Sequence, residues 1–427
     1  MGSEMCIRDR FGGGERFAHQ LNNAGVPVHD RIRFMRTLSN KMGARRPERV
    51  ANVVIDEEVV DWTNEVINNL NLQLEKERQS RKISDAKLRA LTKQSALDGR
   101  ILELMETVLV AADPVEVPII TKPVGTTTSE HVLVALLSDI HIGEVVVKEQ
   151  VVGLDEYNLD IFKKRINRWV DNLLRLTELK KTRLDIRKLE IFGLGDFISG
   201  NIHQELLITN ETHEFEQVYH GVKEISRAFL RLAPHFEQIT FTGVVGNHGR
   251  NSKKPYAKDK QTYSFDYLIY QMLSLVLQNQ PNIKFIIPDS HITYRDVAGT
   301  RFMMTHGDNI RGALGIPLYG INRVRSQLRE IFGEHAVFDM LALGHFHHYF
   351  QSDSVICNPS FKGVDEYSLS GYFGANRPTQ MLLTIHPEHK IVSTEHIFLD
   401  DVHMNVPNFD SPKTWAEKIG ESNEEIV

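Results

Sequence analysis

Cysteine is nearly missing from this chain: its 427 residues contain only Cys6 and Cys357. Two thiols cannot build a disulfide framework or a thiolate cage, which excludes small disulfide-stapled scaffolds and soft sulfur ligation and favours a reducing compartment. No apolar run approaches the ~18 residues that cross a bilayer, and the first residues lack a hydrophobic signal core, so no membrane association is expected and the expected location is the cytoplasm. An excess of positive charge is missing as well. With 50 Lys and Arg against 56 Asp and Glu, the formal net charge is −6, so a nucleic-acid surface, if there is one, has to be local.

What is present is an ordinary globular composition, 41% apolar, with length for one large core and a smaller appendage. Residues 1–14, which include a triple glycine, do not read as folded structure and are set aside as a non-native or disordered leader. Residues 15–112 read as a helical region. Its first part is basic (Arg16, Arg31, Arg33, Arg36, Lys41, Arg45, Arg46, Arg49) and fits either a small helix-turn-helix on nucleic acid or a solvated helical pair with a positive face. Its second part has no proline from 61 to 110 and places Leu88, Leu91, Leu102, Met105 and Leu109 at heptad spacing, interrupted at Ser95 and Asp98. Two readings stay open there: a short coiled coil that makes a homodimer, or a helix packed on the chain's own catalytic domain. Residues 113–129, with Pro114, Pro118 and Pro123, read as a linker, and 403–427 as a tail.

From 130 to 402 the pattern changes. Val132-Leu133-Val134-Ala135-Leu136-Leu137 is a near-continuous apolar run, as in a strand buried on both faces, and it ends on Ser138-Asp139. Helical stretches near 159–179, 214–232, 263–277 and 319–332 then alternate with strands ending at Asp196, near Asn247 and at Met304 and Leu343, and a strand meander closes the region. Strand–helix repeats followed by antiparallel strands predict a mixed α/β layered domain.

The chemistry-bearing residues sit where apolar strands give way to glycine-punctuated loops. They are Asp139-Ile140-His141, Gly195-Asp196, Gly246-Asn247-His248, His306 before Gly307, and Gly344-His345-Phe346-His347. Ligands of open α/β sheets gather outside the carboxyl ends of strands, so five such ends can meet around one pocket. Asp196, flanked by glycines, can offer one oxygen to each of two cations, and paired divalent ions ~3.5–4 Å apart are a common engine of phosphoryl hydrolysis.

In this ordered set the sequence resembles the calcineurin-like metallophosphoesterase superfamily, over about residues 131–399, with its phage-type phosphoesterases and then the SbcD-like DNA-repair nucleases as the nearer groups. The resemblance implies a two-sheet α/β/β/α sandwich. It implies one divalent metal held by Asp139, His141, Asp196 and His347, and a second held by Asp196, Asn247, His306 and His345. Imidazole, carboxylate and amide donors suit Mn²⁺, Fe or Zn²⁺, with Mn²⁺ the expectation for a nuclease. Because imidazole ligates only when neutral, metal binding is expected to weaken below about pH 6.

The resemblance further implies that His248 faces the phosphate and protonates the leaving oxygen, with Asp196 as the bridging catalytic carboxylate. Two positions depart from the family pattern. Ser199 stands where an Asp or His orients that histidine, with His203 a candidate substitute, and Gly249 stands where Asp or Glu is common. For the substrate, Arg250, Lys253, Lys254, Lys258 and Lys260 with Tyr256 between them form a local cationic stretch with an aromatic, suited to a phosphodiester backbone with a stacked base. Arg250, Lys253, Lys254, Tyr256 and His203 are the candidate substrate contacts, and Phe361-Lys362-Gly363 is a candidate further wall. The expected activity is a metal-dependent phosphodiesterase acting on nucleic acid, DNA before RNA. The alternatives are hydrolysis of small or cyclic nucleotides, or a non-catalytic binding protein.

Overall fold

The computed structural model describes residues 75, 106–122, 129–252, 254–311, 317–370 and 376–400. The expected leader, nearly all of the expected helical region with its helix-turn-helix and dimerisation readings, the tail and Lys253 lie outside the described residues.

Six strands form the first sheet, in the order β11-β10-β1-β2-β3-β4. They are β1 (Glu130–Leu137), β2 (Asp185–Gly193), β3 (Gln238–Gly243), β4 (Ile283–Ile286), β10 (Thr379–His386) and β11 (Lys390–Phe398). Strands β1 to β4 run parallel, while β10 and β11 are antiparallel additions beside β1. Each parallel step needs a crossover, supplied by α1 (Leu159–Lys181), α3 (Glu214–Leu232) and α4 (Phe265–Val276). Asn158 caps α1 by accepting from the Ile161 amide at 2.9 Å. A four-residue turn of helix, α2 (Leu206–Thr209), precedes α3.

The second sheet has five strands in the order β5-β6-β7-β9-β8: β5 (Ile292–Val297), β6 (Thr300–Thr305), β7 (Met340–Leu343), β8 (Phe350–Ser352) and β9 (Val355–Cys357). Helix α5 (Pro317–Phe332) links β6 to β7, and α6 (Glu366–Ser370) follows β9.

The two-residue period of β1 shows how the layers are held. Leu133, Ala135 and Leu137 point into the helix-side core with Phe162, Trp169, Phe229 and Leu273. Val132, Val134 and Leu136 point the other way and meet Phe302, Met304 and Ile356 between the sheets. Ile321 and Leu328 of α5 cover the outer face of the second sheet over Met303, Leu341 and Val355. The result is the expected α/β/β/α sandwich.

One strand differs from the expectation: β5 is not announced by the sequence, because its mixed, half-exposed residues are those of an edge strand with no apolar run. In the expected linker the Val115 amide donates to Gln280 Oε1 at 2.9 Å and Ile120 to Glu237 Oε1 at 3.1 Å, and just before it the Ala112 amide donates to Val276 O at 2.8 Å.

Candidate metal centre

Beyond the ends of the parallel strands the ladder does not stop. The Leu194 amide donates to Leu137 O and Val244 to Gly193 O, and the Asp139 and Ile140 amides donate to Gly195 O and Asp196 O. On the second sheet Gly344 donates to His306 O and Asn358 to Leu343 O. Loops from five strand ends are thereby laid side by side at one edge of the sandwich. Close approach is enforced by glycine: a Cβ at Gly344 would meet Asp139 Oδ2 at 2.6 Å, and one at Gly246 would overlap the Asp196 carboxylate.

The backbone is strained where the side chains converge. Nine non-glycine residues among those described have positive φ, and five of them are Asp139, His141, Asp196, His345 and His347, between 51° and 70°. Such conformations cost on the order of 1–3 kcal/mol each and persist only where surrounding bonds impose them.

Three overlapping groups of donor atoms result, each with its atoms within 4.8 Å of one another: Asp139, His141 and His347; His141, Asp196 and His248; and Asp196, His306 and His345. Asp196 belongs to two of them, as a bridging carboxylate would. Four of these seven residues, Asp139, Asp196, His141 and His306, are at 1% exposure or less, and His248, His345 and His347 are half-buried.

Whether these residues fit metal ions can be judged from their lone pairs. His306 Nδ1 lies 2.7 Å from Leu194 O and donates its proton there, so neutral His306 turns an unprotonated Nε2 toward Asp196 Oδ2, 2.9 Å away. That Nε2 has no aligned hydrogen bond, and Asn247 Oδ1 is likewise buried without a partner. His141 and His347 face each other Nε2 to Nε2 at 3.1 Å. Acceptors aimed at acceptors repel unless a proton or cation lies between them. Oxygen and imidazole donors without thiolate suit Mn²⁺, Fe or Zn²⁺, so the residues fit the expected metals.

The electrostatics of the cluster follow from its burial and its charges. Burial resists charge on His306, but the Asp196 carboxylate overcomes it and lifts the imidazole to about 10, while Asp196 itself, despite burial, is held well below the usual carboxylate range by His306. Burial, reinforced by His306, lowers His345 to about 4. Burial lowers His248 to about 3.

His248 is oriented without the Asp or His of the family pattern. Its Nδ1 donates to the Ser199 backbone carbonyl at 2.7 Å, leaving Nε2 toward the donor cluster, and its amide donates to Asp196 Oδ1 at 2.7 Å. The Ser199 hydroxyl is engaged with Asn210 Oδ1 instead. Exposed His203 lies ring to ring with His248, centroids 5.6 Å apart, and does not supply the Nδ1 partner. Gly249 has a steric reason: a Cβ there would meet Ser264 Oγ at 2.6 Å and Asp266 Cγ at 2.9 Å.

Asp266, in the first turn of α4, escaped the reading of the sequence. Fully buried, its Oδ2 accepts from the amides of Asp196 (3.0 Å) and Gly246 (2.9 Å) and its Oδ1 from Phe197 (3.0 Å), clamping together the loops that carry Asp196 and Asn247. Burial and the neighbouring Asp196 charge raise it to about 6. A capping Ser264 ahead of an acidic first turn was the available signal, but it reads equally as ordinary helix capping. A second support was also missed: Glu144 Oε2 lies 3.2 Å from His141 Nδ1, and Lys362 bonds both Glu144 and Asp365. Lys362 is therefore interior, 2% exposed, and not the substrate-facing wall expected of it.

Of the candidate substrate contacts, Arg250 and Tyr256 line a pocket that also includes Asn247, whereas exposed Lys254 does not line it.

No protein-family model and no curated protein matches the sequence. Among solved structures, zinc-complexed Vps29 from Entamoeba histolytica is similar at 10% identity over 63% of this chain and 99% of its own, with a TM-score of 0.26. Vps29 from Cryptosporidium parvum gives 11% identity over 62% and 97%, with a TM-score of 0.26. A predicted phosphoesterase from Streptococcus pneumoniae gives 10% over 62% and 97%, with 0.23. Overlaps this loose carry no conclusion about chemistry, which rests on the site's own geometry.

Proposed function

We propose that this protein is a metal-dependent phosphodiesterase of the calcineurin-like kind that hydrolyses nucleic acid, with DNA as the preferred substrate. The observation that carries it is the chain of three overlapping donor groups, Asp139–His141–His347, His141–Asp196–His248 and Asp196–His306–His345, with His141 and His347 facing each other Nε2 to Nε2 and His306 Nε2 and Asn247 Oδ1 buried without an aligned hydrogen bond. Asp139, His141, Asp196 and His347 would hold one divalent ion, and Asp196, Asn247, His306 and His345 a second, with Mn²⁺ the favoured metal. When bound, such ions neutralise charge developing on the phosphoryl oxygens and lower the pKa of water.

The chain's own groups supply the rest. The Ser199 carbonyl fixes the tautomer of His248 so that Nε2 is the atom open to the reacting centre. His248 acts as the acid when Nε2 takes up a proton, which burial opposes and Asp196 with the Ser199 carbonyl favours. Glu144 holds the His141 ring from behind, and Asp266 fixes the Asp196 and Gly246 backbones, so the ligands need little rearrangement. The cationic loop after Asn247 supports a polyanionic substrate.

The test is turnover by purified protein with Mn²⁺ on labelled single- and double-stranded DNA, RNA, bis(p-nitrophenyl) phosphate and p-nitrophenyl phosphate. Cleavage of DNA and of the synthetic diester is expected. Turnover of the monoester alone overturns the proposal.

A further inference from the structure

Behind the Asp139 carboxylate, on the side away from the histidines, a closed polar relay joins the two sheets. Ser138 Oγ donates to Asp139 Oδ2, and Asn358 Nδ2 donates to Ser138 Oγ at 2.9 Å and to Gln380 Oε1 at 2.7 Å. Asn358 directly follows β9 of the second sheet, and Gln380 lies in β10 of the first. All four residues are fully buried. We propose that Asn358 and Gln380 are positioning residues of the metal centre: they commit the Ser138 proton to Asp139 Oδ2 and leave Oδ1 as the one oxygen this carboxylate offers to a divalent cation. This deepens the phosphodiesterase reading and rests on it for the presence of the cation.

The direction of every bond in the relay is forced. Gln380 Oε1 accepts from the Ser138 amide at 2.8 Å, while its Nε2 donates to Pro359 O at 2.8 Å and Thr379 O at 2.7 Å. Turned over, this side chain would set N–H against N–H at one end and oxygen against oxygen at the other. Asn358 Oδ1 accepts from the Met381 amide at 3.1 Å, so its NH₂ has to face Gln380 and Ser138. Ser138 Oγ therefore accepts from Asn358, and its own hydrogen goes to Asp139. A hydroxyl donating to a carboxylate makes a charge-assisted bond, about twice as strong as a neutral one. Glycine makes room for it: a Cβ at Gly344 would meet Asp139 Oδ2 at 2.6 Å and Ser138 Oγ at 3.0 Å.

The other oxygen faces the donor cluster. Asp139 Oδ1 lies 3.5 Å from His347 Nε2 and accepts from the His345 amide at 2.9 Å, which leaves it a second lone pair. A carboxylate with both oxygens free can swing to bind a cation through one or both. Capped at Oδ2, Asp139 is held to one.

The experiment titrates the full chain with Co²⁺, following heat and the visible d–d bands that report ligand geometry. Ser138→Ala, which deletes one hydroxyl, is expected to weaken Co²⁺ binding by about 10–100-fold and to change the bands. Asn358→Ala should weaken it by about tenfold, and the double variant should bind no more weakly than Ser138→Ala alone, because Asn358 acts through the hydroxyl. If Asn358→Ala does not fold, Asn358→Asp has the same size and can only accept from Ser138, so its bands should match those of Ser138→Ala. Natural bands and affinity in Ser138→Ala, natural bands in Asn358→Asp, or losses that multiply in the double variant overturn the positioning role and leave the metal centre standing. No Co²⁺ uptake by the natural protein overturns the metal centre, and the positioning role with it.

Discussion

The donor cluster around Asp196 and the excursion after Asn247 share one residue border and are built on opposite principles. In the cluster, side chains are buried or half-buried, five ligand candidates hold left-handed backbone, and the Asp196, His248 and His345 amides are claimed by carboxylates. In the excursion, Lys254, Tyr256 and Lys258 are exposed, and the chain is tied back at its base, at Lys260 and at buried Gln261, which bonds Val245 and Gly243. Rigidity belongs where charge must be met at fixed positions, because a donor out of place loses most of its effect on a transition state. Exposure belongs where a substrate has to arrive and be sorted. Changes in the cluster should therefore lower turnover and metal loading together, and changes in the excursion should act on substrate affinity.

The largest effect is expected from Asp196→Asn, which removes the shared carboxylate. Turnover of bis(p-nitrophenyl) phosphate should fall by on the order of 10³-fold or more, with metal content by elemental analysis falling in parallel. His248→Ala should separate these readouts. Turnover of a diester with a poor leaving group should drop by about 10²-fold, with metal content kept and a p-nitrophenolate leaving group much less affected.

Asp266→Asn tests whether the cluster's stiffness depends on a residue that is not a ligand. An amide cannot accept from all three backbone donors, and its NH₂ would face one of them. Metal affinity should weaken by about 10–100-fold, and thermal unfolding should report a loss of about 1–3 kcal/mol.

The pH dependence of metal loading gives a smaller, graded effect. His306, at about 10 in the metal-free protein, is protonated at neutral pH, and only its neutral form ligates. Affinity should therefore rise with pH, by about tenfold per unit from pH 7 toward 10 for this one proton. Calorimetry in buffers of different ionisation heat should show about one proton released from His306 at pH 8. The sequence-based expectation of weakening only below about pH 6 assumed ordinary histidines, and the Asp196 carboxylate moves the window upward. The smallest effect is expected from Lys254→Ala, which is exposed and does not line the pocket: KM on DNA should rise by about twofold, with metal content and stability unchanged. A loss of metal content there would break the division between the two regions.

Much of the layer that carries the candidate site could be read from one dimension. Apolar runs that stop on Asp139, Asp196 and Leu343 mark strands covered on both faces, and glycine beside a potential ligand marks close backbone approach. Strand β5 could not be read this way, since an edge strand buries too little to show a pattern. Nor could the Glu144–Lys362 bond, whose partners are 218 residues apart, or the Ser199 carbonyl that replaces a missing side chain. Backbone groups carry no residue identity to read.

The sequence by itself determined the order of potential donor types, the alternation of strand and helix, and the cationic, aromatic character of one loop, because each depends on local period and residue chemistry. Only the tertiary structure decided which lone pairs oppose one another, that Lys362 is interior, that Asp266 clamps two loops, and that Asn358 and Gln380 meet at Ser138. Those facts depend on distances between strand ends far apart in the chain, and sheet packing sets such distances where local sequence cannot.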